Sequence, residues 1–79
     1  MEQKLGDQVK FFVSFEYDRI DWENDIFGPY RSNEIFEENS NKVTEFTIRK
    51  WTEKIKEEYS DSSQKCRKVT ILFFHELAG

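Results

Sequence analysis

The sequence predicts a single α+β domain spanning residues 1–79, of β-β-α-β order. A three-stranded antiparallel sheet (order 2-1-3) carries one helix on one face. Three observations lead to this. Val9, Phe11, Val13, Phe15 and Tyr17 alternate with polar residues, broken only by Phe12, at the period of two that a half-buried strand requires. Ile48, Trp51, Thr52, Ile55 and Tyr59 recur at helical spacing. The run Val69-Thr70-Ile71-Leu72-Phe73-Phe74 is apolar on both parities and has the length of a strand. Seventy-nine residues suffice for one core, which eight Phe, three Tyr and two Trp enlarge.

Residues 1–7 are polar and are expected to fray. The first strand is expected over roughly 8–18, its odd residues facing the core. Residues 19–29 read as a long hairpin loop, in which Gly28 and Pro29 mark a turn. The second strand, roughly 30–37, holds only Ile35 and Phe36 as strongly apolar content, and its charges suit a sheet edge.

The helix has a clear start. Thr44 is a good N-cap, Val43 and Ile48 form a hydrophobic staple, and Glu45 puts negative charge at the positive end of the dipole. Thr47 stands where a capping box usually has Glu or Gln, so the box reads as incomplete. Glu45 and Arg49, Arg49 and Glu53, and Lys54 and Glu58 are spaced for ion pairs along the wet face. Residues 60–64 are a polar loop, and 67–77 form the third strand. A hairpin followed by a returning helix makes the first strand central, with Phe11, Val13, Phe15, Ile48, Trp51, Ile55, Ile71 and Phe73 as the expected core.

One sheet face then lacks a cover. With Val69, Ile71 and Phe73 turned to the helix, Phe12, Leu72 and Phe74 are expected together on the open side, flanked by Lys10, Ser14, Thr70 and Glu76. Such a patch marks an interface, unless the apolar residues of the 19–29 loop fold back over it. That loop mixes Asp21, Trp22, Glu23 and Asp25, an aromatic anchor among carboxylates that suits a basic partner surface. The acids Asp21, Glu23 and Asp25 have the opening spacing of a calcium loop. Glycine falls at its eighth place instead of the sixth, however, and Ser32 stands at the twelfth, so no metal is expected.

The net charge is −4, with eight acids against two bases between Glu16 and Glu38, an acidic patch that would repel nucleic acid. One cysteine, Cys66, excludes an internal disulfide and suits a reducing compartment. His75 is the only histidine, and neither a metal set nor a catalytic set can be assembled around these two residues. No glycine-rich phosphate loop is present, and no cofactor is expected. No apolar stretch reaches membrane-spanning length and the start lacks a signal peptide's features, so a cytoplasmic location without membrane association is expected.

The layout resembles short β-β-α-β proteins encoded by bacteriophages and mobile elements of low-GC Gram-positive bacteria. The resemblance rests on the run Phe11-Phe12-Val13-Ser14-Phe15, on Phe27-Gly28, on Val43-Thr44 before the helix, and on Val69-Thr70-Ile71-Leu72-Phe73. It departs at Gly28-Pro29-Tyr30, where a small polar residue would follow the aromatic-glycine pair. The resemblance implies an acidic, non-enzymatic protein that binds and blocks a bacterial defence or nucleic-acid-handling complex, in the manner of anti-CRISPR inhibitors. The other expectation is a structural or assembly protein that forms a homodimer through its open sheet face.

Overall fold

The computed structural model describes residues 8–77; the fraying expected of residues 1–7 lies outside them. β1 (Val9–Asp21) is the middle strand, paired antiparallel with β2 (Ile26–Glu38) on one side and β3 (Gln64–Glu76) on the other. The helix α1 (Glu45–Glu58) connects β2 to β3 and packs on one sheet face. The element order, the antiparallel pairing and the 2-1-3 order are those predicted from the sequence.

The core is built where the odd residues of β1 meet α1. Phe11, Val13 and Phe15 are buried, as are Trp51 and Ile55 from the helix. Trp51 is the centre of this cluster. Phe36 of β2 stacks on its indole at 5.6 Å, Phe11 lies tilted at 5.4 Å, and Phe74 of β3 meets it edge-on at 5.5 Å. Its ring Nε1–H donates to Glu38 Oε2 at 2.7 Å, so burial leaves no unpaired donor. Lys50 Nζ donates to the other oxygen of that carboxylate at 2.6 Å. Toward the helix C-terminus, Tyr59 packs on Phe15 and Tyr17, and its hydroxyl donates to Glu34 Oε2.

Thr44 caps α1 as expected, and the capping box is closed after all. Thr47 N–H donates to Thr44 Oγ1 at 3.3 Å, and Thr44 N–H donates to Thr47 Oγ1 at 3.1 Å. A threonine hydroxyl replaces the usual longer carboxylate because Thr47 is buried, where an anion would be costly. The ion pairs among the described residues tie elements together instead of running along the helix: Lys10–Glu37, Arg31–Glu16, Arg67–Asp18, Arg19–Asp61 and Lys50–Glu38.

The hairpin is the first correction to the sequence reading. Residues 19–29 do not form a loop, because β1 runs on to Asp21 and β2 already begins at Ile26. Gly28 and Pro29 lie within β2 as a bulge, two residues opposite Asp18 alone, since Tyr17 pairs with Tyr30 and Arg19 with Phe27. Gly28 has φ +121°, and a Cβ there would sit 3.2 Å from the Asp18 Cβ and the Tyr17 carbonyl.

The second correction concerns β3. Ser14 pairs with Phe73 but Phe15 pairs with Ile71, which leaves Leu72 as an extra residue. This bulge reverses the parity of everything beyond it. Phe74 therefore joins Val69 and Ile71 on the helix side, and Phe73, expected in the core, is 52 % exposed on the other face. Ile48 and Ile71 line the core only partly buried, while Phe36 is fully part of it.

The α1–β3 loop is held by one carboxylate. Asp61 accepts from the N–H groups of Ser63 and Gln64, from the Ser63 hydroxyl and from Arg19 Nη2 at 2.8 Å. These bonds, those of Gln64 and Ser63 first, hold its pKa well below the ordinary carboxylate value of 3.8. A depressed folded-state pKa contributes stability that is complete above that ordinary value and lost as pH falls through the folded one. Stability should therefore decline as pH drops below about 4, and urea titrations of Asp61→Asn should show a shallower decline than the parent. An equally steep decline in the variant would assign the effect elsewhere. In the core, Trp51→Ala should cost about 3–5 kcal/mol, enough to unfold a domain of this size. A cooperative melt scarcely altered by that change would contradict the packing described.

Candidate functional site

The hairpin tip is organised around Asp21. Its Oδ1 accepts from the backbone N–H groups of Glu23 and Asp25, both at 2.9 Å, and its carbonyl accepts from Asn24 N–H at 3.0 Å. Its own N–H donates to the Asp25 carbonyl at 3.0 Å, closing the end of the ladder. Asn24 takes φ +69°, a left-handed position that asparagine tolerates. Trp22 is at the first position of this turn, and its side chain is 82 % exposed. On the same turn, Asp21, Glu23 and Asp25 bring carboxylate oxygens within 4.8 Å of one another. Asp21 thus has a positioning task in this group, and Trp22, Glu23 and Asp25 are the residues presented to solvent.

The tip does not fold back over the sheet. Ile35 remains 55 % exposed and Phe73 52 % exposed on the face opposite the helix, so the described residues leave that face uncovered. Its centre is an aromatic group spanning two strands. Phe12 lies 5.9 Å from Phe73 and 5.4 Å from His75, and the rings of Phe73 and His75 stack at an interplanar angle of 10°. Ile35 pairs with Phe12 from the β2 side.

Of the three residues expected here, the structure keeps Phe12 and moves Phe74 to the helix side, where its ring meets Trp51 and Phe11 while it stays 38 % exposed. Leu72 is the bulged residue itself, exposed and outside the ladder register. Phe73, His75 and Ile35 take their places. The three consecutive apolar residues Leu72, Phe73 and Phe74 fit either parity, so only the backbone irregularity decides between them.

The acidic run between Glu16 and Glu38 does not make one patch. Glu16 and Asp18 are paired with Arg31 and Arg67 on the open face. Glu34 and Glu38 are bonded to Tyr59 and Trp51 at the helix side. What remains concentrated is the tip.

Cys66 and His75 lie on opposite sheet faces, the first paired with Arg19 and the second with Phe12, so they form no nucleophile–base pair. Burial pushes the Cys66 thiol pKa up, which disfavours the reactive thiolate. Among the described residues no helix is long and apolar enough to cross a membrane. Compared with protein-family models, curated proteins and solved structures, the chain matches none.

The role given to Asp21 can be read from amide exchange. Asp21→Asn keeps an oxygen acceptor and should leave the Glu23 and Asp25 amides protected, while Asp21→Ala should raise their exchange rates about tenfold or more, a loss comparable to one or two hydrogen bonds. Equal protection in both variants would show that the turn does not depend on this side chain.

Proposed function

We propose that the chain is a small acidic, non-enzymatic binding protein that acts by stoichiometric occupation of a partner's basic surface, with the hairpin tip as its contact. The observation that carries this reading is Trp22, 82 % exposed on a turn locked by Asp21 that also carries the clustered carboxylates of Asp21, Glu23 and Asp25. An indole on a hydrogen-bonded turn supplies large contact area with few rotatable bonds to order, and carboxylates accept bonds from Arg and Lys where a phosphate would otherwise sit. The few carboxylates at the tip suit a local contact better than mimicry of a whole duplex. The resemblance to short phage and mobile-element proteins supports a bacterial defence or nucleic-acid-handling complex as the partner, blocked as an anti-CRISPR inhibitor blocks its target. Such an inhibitor acts in the cytoplasm of the bacterial host cell.

The test is titration of the purified chain into RNA-guided effector complexes while target-DNA binding is followed. Inhibition should saturate near one tip per complex. Trp22→Ala should weaken it about thirtyfold or more, in the range of an interface hot spot. Glu23→Lys with Asp25→Lys should slow association, and the parent's affinity should fall as salt is added. Inhibition that both variants retain in full would rule out the tip as the contact.

A further inference from the structure

The open sheet face carries a pattern of charge that is complementary to itself. Ordered along the strands, its rows are Lys10 with Glu37, then Phe12 with Ile35 and His75, then Ser14 with Asn33 and Phe73, then Glu16 with Arg31 and Thr70. The first row has its base on β1 and its acid on β2, with Lys10 Nζ 3.8 Å from Glu37 Oε2. The fourth has its acid on β1 and its base on β2, with Arg31 Nε 3.5 Å from Glu16 Oε2. The two rows thus have opposite polarity on the same pair of strands, with the aromatic rows between them.

We infer that a second copy of this chain covers the open face, in a two-fold dimer whose axis runs across the strands between the Phe12 and Ser14 rows. That rotation lays each strand over its own counterpart, reversed in direction. Lys10 then faces Glu16 of the second copy, and Glu37 faces Arg31 of the second copy. Between these charged rows, Phe12 lies over Ser14 and Ile35 over Asn33, large side chain against small, while His75 meets Phe73.

A two-fold axis along β1 itself would set Lys10 on Lys10 and Glu16 on Glu16, which like charges disfavour. One along the strands between β1 and β2 would match the charges but leave Phe73 and His75 of β3 outside the contact. The result is two sheets packed face to face about 10 Å apart, which supplies the second layer that a one-sided core of this size lacks. Single-stranded nucleic acid is the competing occupant of an aromatic sheet face. Here each base at the borders of the aromatic rows, Lys10 and Arg31, is paired with an acid, so the rows offer no net positive charge to phosphates, which favours the self-complementary arrangement. The two hairpin tips point to opposite ends of the dimer and stay uncovered, so this inference stands whether or not the tip reading holds.

Light scattering on a size-exclusion column should give twice the chain mass of 9.6 kDa. Phe12→Ser with Phe73→Ser should reduce it to the chain mass. So should Asn33→Arg, which changes an exposed edge-strand residue and leaves the core untouched. Trp22→Ala should remain a dimer. The register is read by a short bismaleimide. Lys10→Cys chains mixed with Glu16→Cys chains should cross-link efficiently, because the two positions oppose each other across the sheets.

Lys10→Cys chains alone should cross-link poorly, being separated by about 20 Å along the strands, six residues at about 3.4 Å. A chain-mass species at every concentration would overturn the inference. So would a dimer that survives both face variants, or efficient cross-linking of Lys10→Cys alone. A monomer whose open face binds a fluorescent single-stranded oligonucleotide through Phe12 and Phe73 would overturn it in favour of nucleic acid.

Discussion

A 14-residue helix of about 21 Å has to stabilise strands of 13 residues, about 43 Å long, and it can do so from one side only. Most other features of the molecule answer that mismatch. The closely packed core is confined to the stretch from Phe11 to Phe15, where Trp51 and Ile55 reach the sheet. Past the helix C-terminus, the sheet is held by local devices. Tyr59 lies 4.7 Å from Tyr17, which lies 5.4 Å from Tyr30, an aromatic ladder that continues the core toward the tip. The Asp61 loop then anchors Arg19, and Asp21 closes the hairpin. A turn held by hydrogen bonds in this way needs little hydrophobic area, which suits a region with no helix above it.

Both edge strands are irregular. β2 carries the Gly28–Pro29 bulge, and β3 carries extra residues at Leu72 and Arg67. Bulges increase local twist and interrupt the row of free backbone groups that an edge would offer to another strand. The Arg67 bulge also brings its guanidinium onto both oxygens of Asp18, at 3.1 and 2.7 Å, which fixes β3 to β1 beyond the reach of the helix. Edge-to-edge association is discouraged by these features, while the aromatic face is left open. Association through that face and recognition through the tip use different parts of the same long sheet.

Much of this was legible in the sequence. The alternation in β1, the spacing of Ile48, Trp51 and Ile55, and the cap at Thr44 all specify local structure and the core together, and they are consistent with one another. What escaped was decided by backbone irregularity or by polar detail. Gly28-Pro29 reads as a turn pair, yet it is equally suited to a bulge opposite Asp18. The tight turn at residues 22–25 has no glycine, because the Asp21 carboxylate and Asn24 do its work. Thr47 closes a capping box that residue-type statistics would assign to Glu or Gln. The largest miss was the face of Phe73 and Phe74. In an uninterrupted apolar run the side-chain pattern contains no phase, so one inserted residue exchanges the two sheet faces without leaving a mark in composition.

That exchange is also the point on which the open face depends, since it places Phe73 and His75 beside Phe12 and sends Phe74 to the helix. Nuclear Overhauser contacts to the Trp51 indole, in a sample with assigned phenylalanine rings, test it most directly. The account predicts strong contacts from Phe74, Phe11 and Phe36 and none from Phe73. Contacts from Phe73 with none from Phe74 would mean that β3 is unbulged at Leu72, and that the face described here belongs to the core.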